Sequence, residues 1–271
     1  MKKVFQLTNK YIVLGTPLIL FSLFTSIYIA VSANGKIMNV LFAFILLILM
    51  TAAFIAGWFN MVKGAVDDKY DEQPNMLIKD FTSGVGEYFT SSLSSMVIMF
   101  IIGTILLYFS YLAGMHYIGN PGITAESLTK ALETTVALKA FLTSLTTEQL
   151  LKLNQWNILL LATMMLSYFL LLFYIPAIFF KNKNPFIALW YSLKDLFSKK
   201  FFITLAIYIL IFITNFIITL LTTMFVNNSI VNFILTLANF YFVTVVSVGI
   251  CKYYNDNFVK NLLGQNIDKI I

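Results

Sequence analysis

The chain has 271 residues, of which 59% are hydrophobic and only 11% are charged. A soluble domain needs roughly 25% charged residues to cover its surface, so most of this surface must face lipid rather than water. The net charge of +6 comes from lysine alone, and the lysines lie beside hydrophobic runs. This distribution indicates membrane topology rather than a nucleic-acid partner.

Six stretches are long and apolar enough to cross a hydrocarbon core of about 30 Å, which takes about 20 helical residues. We therefore predict an all-α fold: a polytopic transmembrane helical bundle of about six spans with interfacial amphipathic helices, forming a single domain over residues 1–271. The predicted spans are residues 11–33, 38–62, 88–114, 157–181, 201–226 and 230–254.

The first stretch has a second interpretation. Lys2 and Lys3, followed by an apolar run and the small residues 31–33, resemble a secretory signal peptide with a cleavage site. The apolar run exceeds the 7–15 residues of such a signal, so we favour an uncleaved first span.

The lysines predict the orientation, because short basic loops stay in the cytoplasm. Four lie on one side of the spans (Lys36, Lys130, Lys139 and Lys152), and the other fourteen lie on the side of both termini. We therefore expect a multi-pass plasma-membrane protein with cytoplasmic termini. Abundant lysine, isoleucine and asparagine without arginine indicates a prokaryotic source.

The longest predicted exterior segment covers residues 116–156. It opens on the turn signal Asn120-Pro121-Gly122, after which apolar residues recur at helical spacing. Thr146 and Gln149 have the spacing of a capping box for a second short helix. We expect amphipathic helices on the outer surface, acting as a lid on the bundle or as a gate for a substrate or partner.

An acidic loop follows the second predicted span. Asp67, Asp68 and Asp71 form a D-D-x-x-D pattern, and carboxylates at this spacing can share Mg²⁺ that holds a diphosphate. Enzymes of that kind need a second acidic motif, whereas the other acids on this side, among them Asp80 and Asp195, are scattered singly. We interpret the loop as solvated and keep the three aspartates only as weak metal candidates.

Cysteine and histidine each occur once, as Cys251 and His116. A disulfide framework and a Cys/His zinc site are therefore excluded. The two residues fall at opposite sides of the predicted membrane, which argues against a nucleophilic pair. We predict no catalytic residue and no cofactor.

A short interfacial helix is predicted after Asn184, which suits an N-cap, with Pro185 at the first helical position. About 14 residues span only about 21 Å, too short to cross the hydrocarbon core. A weaker echo of this segment, with Lys79-Asp80 in place of Lys194-Asp195, precedes the third span and suggests a repeated unit. The predicted apolar stripe consists of Phe186, Leu189, Trp190, Leu193 and Phe197.

Two prolines lie inside predicted spans. Pro17 in the first and Pro176 in the fourth are each about six residues from the end that we place in the cytoplasm. Paired helix breaks can mark a transport site, but such breaks lie near the midplane. We interpret both prolines as helix kinks.

The segment 184–202 resembles a recurrent N-P-x-x-x-A-L-x-x-S motif of several bacterial six-span families of unknown function. Residues 79–89, with Lys79-Asp80-Phe81 and Gly84-Val85-Gly86, resemble their preceding connection. These are the DUF975-like and DUF4013-like families and the membrane domain beside some glycerophosphodiesterases. The resemblance covers roughly residues 38–226 and implies a fold without an activity.

These observations predict a non-enzymatic scaffold or accessory membrane subunit. The alternative is a permease for a small neutral or lipid-like solute, and a distant third is a Mg²⁺-dependent enzyme acting on lipid diphosphates. The expected partner is the lipid bilayer, together with a membrane-protein partner or a second copy of the chain.

Overall fold

The computed structural model describes residues 2–32, 37–70 and 73–260. The chain falls into two compact units. The first unit is Met1–Val97 together with Leu170–Ile271, and the second is Ile98–Phe169. The α-helices of the described residues are α1 (Lys2–Lys10), α2 (Gly15–Ser32), α3 (Ile37–Val66), α4 (Lys79–Tyr117), α5 (Ala125–Leu132), α6 (Thr135–Ser144), α7 (Thr147–Leu170), α8 (Tyr174–Phe180), α9 (Pro185–Leu196), α10 (Phe201–Met224) and α11 (Ser229–Tyr254).

Six segments of the described residues are long and apolar enough to cross a membrane, as the sequence predicted. They are Ile12–Ala30, Phe42–Val66, Asn75–Tyr117, Thr147–Phe180, Phe201–Met224 and Ser229–Val259. The chain is therefore an all-α, multi-pass membrane protein whose long helices are built for a lipid bilayer.

The fourth segment begins ten residues before the predicted start. Thr146 and Gln149 do form a capping box, since each backbone N–H is bonded to the side chain of the other residue, at 3.0 and 3.3 Å. This box opens the long helix α7, so the prediction of a separate short helix at that point was wrong. The third segment likewise begins early, because Pro74 starts a 3-10 turn that leads directly into α4.

The prolines lie just after interruptions of the helices. Pro17 is the third residue of α2, after a 3-10 turn at Ile12–Leu14. Pro176 is the third residue of α8, after a break between Leu170 and Tyr174. Proline fits the first turn of a helix because the missing N–H has no partner there. Each interruption therefore divides a membrane segment into a short and a long piece.

The core of the first unit is aromatic and lies where α3 meets the start of α2 and the end of α11. Trp58 is buried, and its indole N–H donates to the carbonyl of Leu14 at 2.9 Å. This bond satisfies a carbonyl at the interruption before α2. Buried around it are Tyr11, Phe54, Met61, Val62, Leu77, Val248 and Cys251.

Helix α1 is an amphipathic element that the sequence analysis missed. Lys2 and Lys3 are exposed, whereas Thr8 is buried. The helix runs antiparallel along α11, because Val4 lies beside Gly249 and Asn9 accepts a hydrogen bond from Tyr241 at 2.6 Å. Its nine residues, with lysines at both ends, are too few to be recognised as a membrane span.

The second unit contains the short helices α5 and α6, which pack on each other. The predicted turn is present: the N–H of Gly122 donates to the side chain of Asn120 at 2.8 Å, and Gly122 has φ +72°. Trp156 donates from its indole N–H to the carbonyl of Gly119 at 3.1 Å. Its ring lies against Gly114, where any Cβ would collide with it.

Candidate functional site

One end of the first unit gathers most of its charged side chains. We call this the lysine-rich end and define it as residues 67–70, 79–80, 181–200 and 252–260 together with Lys10 and Tyr11. Hydrogen bonds join these segments across sequence separations of up to 188 residues. Three aspartates organise it, each accepting from one lysine and one tyrosine, namely Asp68, Asp80 and Asp195.

Asp68 is positioned by the way α3 ends. The N–H groups of Asp68 and Lys69 return to the carbonyls of Ala65 and Gly64, at 3.1 and 3.0 Å, which is a Schellman motif. Asp68 occupies its left-handed position at φ +52°, where aspartate is tolerated better than most side chains.

The Asp68 carboxylate is held by two donors from the start of the chain. Oδ1 accepts from Lys10 Nζ and from the Tyr11 hydroxyl, both at 2.7 Å. The bond from Lys10, followed by that from Tyr11, lowers the pKa of the Asp68 carboxyl below its usual range. Burial, and then the bond to Asp68, raises the pKa of Tyr11 to about 12. The pair therefore stays as carboxylate and neutral phenol over the physiological range.

Asp80 is buried, with only 5% of the residue exposed. Its Oδ1 accepts from Lys69 Nζ at 2.9 Å and from the Tyr70 hydroxyl at 3.1 Å. Donation to this carboxylate raises the pKa of the Lys69 ammonium. Gly64 leaves the space for the carboxyl group, since a Cβ there would lie 2.5 Å from Oδ2.

Asp195 joins three helices at one carboxylate. Its Oδ2 accepts from Lys181 Nζ at 2.6 Å and from the Tyr254 hydroxyl at 2.8 Å. The side chains of this ion pair are only 9% and 12% exposed. The Lys181 ammonium also lies 5.3 Å from the ring centroids of Tyr191 and Tyr254. A largely buried charge pair of this kind is tolerated because the carboxylate faces an ammonium and accepts a second hydrogen bond from the tyrosine.

Asp80 and Asp195 occupy equivalent positions in the sequence. Each follows a lysine, and each carboxylate is engaged by one lysine upstream and by one tyrosine. The two aspartates remain single acids, as predicted, but each is the acceptor of its own lysine and tyrosine pair. The repeated Lys-Asp dipeptide was the available signal, but no sequence pattern indicated that Tyr254, 59 residues from Asp195, completes the cluster at that aspartate.

Asp67, Asp68 and Lys69 of the acidic loop are exposed to solvent, as predicted, but the two aspartates also have partners within the chain. Asp67 accepts from the side-chain amide of Asn255 at 3.2 Å, and Asp68 is held as described above. Asp71 lies outside the described residues, so the complete triplet cannot be placed. Among the described residues, no group of three or more His, Cys, Asp or Glu side chains could hold a metal ion.

The interfacial-helix prediction corresponds to α9, which begins at Pro185. Asn184 is its N-cap, accepting from the N–H of Phe186 at 3.0 Å. Of the predicted stripe, Phe186, Trp190 and Phe197 are exposed, and Leu189 and Leu193 are half-buried. The face that packs inward is different and small: Ala188, Ser192 and Leu196.

The single cysteine and the single histidine do not form a catalytic pair. Cys251 is buried in the aromatic core of the first unit. His116, in the second unit, packs edge-on against the ring of Tyr117 at 4.7 Å between centroids. Neither approaches a carboxylate cluster through a described contact.

An apolar cleft of about 570 Å³ lies in the first unit between α1, α10 and α11. Leu172 and Phe173, from the interruption before α8, form part of its wall. Its polar groups are few, and Thr204 and Tyr253 bond to each other through their hydroxyls at 3.2 Å. No sequence pattern predicted this cleft, because its wall combines residues from three helices and from the interruption before α8.

No protein-family model matches the chain, and no curated protein or solved structure matches it. The resemblance to the uncharacterised six-span families therefore extends only to the pattern of six long apolar helices. That pattern and the lysine-rich end define the class, a polytopic helical membrane protein.

Proposed function

We propose that the chain is a non-enzymatic scaffold or accessory subunit of the membrane, in which the lysine-rich end forms a rigid structural base. The observation that carries the proposal is the engagement of Asp68, Asp80 and Asp195 by lysine and tyrosine donors of the same chain. These groups hold helices together rather than face a substrate.

The chemistry of the clusters supports this role. A carboxylate that binds Mg²⁺ or moves a proton needs free lone pairs directed into an accessible space. A lysine ammonium on the same oxygen competes with a divalent cation, both by charge and by occupying the lone pair. We therefore expect the lipid-diphosphate activity considered above to be absent.

The surface for a partner is the exposed side of α9. Phe186, Trp190 and Phe197 are 70%, 68% and 61% exposed, and the charged Lys194 is also exposed on this helix. Tryptophan is enriched at membrane–water interfaces, and large aromatic residues are enriched in protein contacts. The firm packing of α8 on α9 through Ala188 would present this surface in a fixed geometry.

In-cell photocrosslinking tests the proposal. A photoreactive amino acid at Trp190 should give one discrete adduct with a membrane protein, whose abundance falls when this chain is deleted. The same amino acid at Phe216, which is 54% exposed on α10, serves as the control and should give no protein adduct. Identical lipid-only adducts at both positions, with no protein lost on deletion, would refute a scaffold role.

Magnesium binding tests the absence of the enzyme function. The Asp67→Asn and Asp68→Asn double variant should bind Mg²⁺ no differently from the parent protein in a calorimetric titration. A saturable Mg²⁺ site that the double variant lacks would revive the enzymatic alternative.

A permease for a lipid-like solute is a second candidate, and the interruption before α8 favours it. Proline at position 176 has no N–H for the carbonyl of Leu172, and Leu172 lines the apolar cleft. Broken helices beside a cavity are typical of transport sites. Reconstituted protein should then speed the movement of a fluorescent phospholipid between leaflets. An unchanged rate would remove this candidate without affecting the scaffold proposal.

A further inference from the structure

The apolar cleft between α1, α10 and α11 has the length of one membrane leaflet. Its wall extends on α10 from Thr204 to Thr214 and on α11 from Tyr241 to Tyr253. At 1.5 Å per residue these runs are about 15–18 Å long, and half of a hydrocarbon core is about 15 Å. The cleft therefore covers the half of each membrane segment that ends at the lysine-rich end.

The composition of the wall changes along this length. Its middle is formed by aliphatic side chains such as Ile207, Ile211 and Val246, and at the far end the hydroxyls of Thr214 and Tyr241 donate to the Leu210 carbonyl and the Asn9 side chain. At the lysine-rich end the wall carries the bonded hydroxyls of Thr204 and Tyr253. An apolar channel with a polar rim is complementary to an amphiphile whose chain lies in the leaflet.

Positive charge surrounds the polar rim. Lys200 lies one turn before Thr204, and its ammonium reaches the Asn257 side chain. Lys2 and Lys3 are exposed and precede Val4, which lines the cleft. Val4 lies beside Gly249 and lines the cleft together with Tyr253, so the two lysines that precede Val4 lie on the Tyr253 side of the cleft.

The acidic residue nearest in sequence to the rim is already neutralised. Asp256 forms ion pairs with Lys252 at 3.0 Å and with Lys260 at 3.8 Å. The local excess of charge is therefore positive and complements an anionic headgroup. Each lysine near an anionic lipid surface contributes about 1 kcal/mol.

We propose that this cleft binds one acyl chain of an anionic glycerophospholipid, with the phosphate beside Lys2, Lys3 and Lys200. The site goes beyond the scaffold role and is independent of it, since a structural lipid binds whether or not the chain has a protein partner. It is a static binding site for a structural lipid on the first unit, and it requires no movement of the lipid between leaflets.

Native mass spectrometry of the purified protein tests the site, using phosphatidylglycerol and phosphatidylcholine with identical acyl chains as probes. We expect one phosphatidylglycerol to be retained, with a preference over phosphatidylcholine of roughly 30- to 150-fold, as two or three lysines at a headgroup would give. Equal retention of the two lipids, or a ladder of adducts without a dominant first one, would overturn the proposal.

Variants that fill the cleft distinguish a lipid bound there from the lipids that surround the whole protein. Val246→Trp places a large ring in the cleft and should weaken binding of the first lipid about tenfold, because several methylenes lose their burial. Ile207→Trp does the same from α10, so that misfolding of one variant leaves the other informative. Ile234→Trp, on the 59%-exposed side of α11 outside the cleft, is the matched control and should bind normally. Equal binding by all three folded variants would place the lipid elsewhere.

A separate variant tests the proposed contact between the lipid phosphate and the lysines. Replacing Lys2 and Lys3 together by Gln should remove most of the preference for phosphatidylglycerol and leave phosphatidylcholine binding unchanged. A preference that survives this change would show that the phosphate lies elsewhere and overturn the assigned orientation. Retention of a peptide mass in place of lipid would overturn the proposal altogether.

Discussion

At the scale of single residues, the aspartates of the lysine-rich end differ in how much their ion pairs stabilise the fold. A surface ion pair contributes little, because water already solvates both charges. A buried pair behaves differently, since removing one partner leaves an uncompensated charge away from water. Asp68 and Asp195 represent the two cases, and their variants should differ accordingly.

The Asp195→Asn variant should lose roughly 3–5 kcal/mol of unfolding free energy, because it leaves the buried Lys181 without its counter-charge. The additional change Lys181→Met should restore much of this loss by removing the stranded ammonium. Thermal unfolding in detergent measures both. Glu87→Gln is the control, since its pair with Lys183 is 44% and 55% exposed and should contribute at most about 1 kcal/mol. An Asp195→Asn protein as stable as the Glu87→Gln protein would contradict the structural role.

Asp68 adds a dependence on pH. The folded-state pKa of this carboxyl is lowered, so its contribution is complete above the unfolded pKa of about 4 and is lost as the pH falls through the folded value. Asp68→Asn should cost about 1 kcal/mol at pH 7, a small value because the side chain is 49% exposed.

Unfolding experiments between pH 3 and pH 7 check the contribution of the Asp68 carboxylate, because it is lost as the pH falls below the ordinary pKa of aspartate. The difference between the parent and Asp68→Asn proteins should shrink as the pH falls. Asp68→Ala should be worse than Asp68→Asn at every pH, because alanine tolerates the left-handed backbone poorly. A difference that is constant with pH would show that the carboxylate charge does not contribute.

At the scale of elements, close packing of α3 on α4 positions Asp80. A Cβ at Gly84 would lie 2.5 Å from Asn60 Cβ and 2.7 Å from the Ala56 carbonyl oxygen. Gly86 is on the same helix, and a Cβ there would meet nothing within 4 Å. The two glycines therefore form a matched pair of positions.

Gly84→Ala should destabilise the protein by about 1–3 kcal/mol, because the backbones must separate. Gly86→Ala should be neutral or stabilising by up to about 1 kcal/mol, because alanine favours a helix more than glycine does. Denaturation of the two purified variants under identical conditions compares them. Equal stability would mean that α3 and α4 do not approach each other as closely as described.

The elements also show what sequence can predict. Long apolar stretches are local properties, so all six membrane segments were found, and their ends were displaced where a cap or a 3-10 turn extended a helix. The buried face of α9 was not found, because Ala188 and Ser192 are neither strongly apolar nor large. Contacts such as Tyr254 with Asp195 depend on which helices become neighbours, and no pattern within either segment carries that information.

At the scale of the whole molecule, the orientation in the membrane is a separate prediction. The lysine bias places both termini in the cytoplasm. In a Cys251→Ser background, a cysteine at Ser229 should react with an impermeant thiol reagent added to intact cells, whereas a cysteine at Asn75 should not. Both positions are exposed, so that reactivity reports sidedness. Labelling of Asn75 but not Ser229 would show the opposite orientation.

The hydrogen bond between Asn255 and Asp67 also has a consequence for the order of assembly during synthesis. Its partners are 188 residues apart, whereas Lys10 and Asp68 are separated by 58. At 5–20 residues per second, the ribosome makes Asp68 within seconds of Lys10. Asn255, in contrast, follows Asp67 by roughly 10–40 s. During that interval Asp68 can already be held by Lys10 and Tyr11, whereas Asp67 has no Asn255 amide to accept from. A nascent chain stalled before the last helix therefore lacks this hydrogen bond, although the residues that hold Asp68 have all been made.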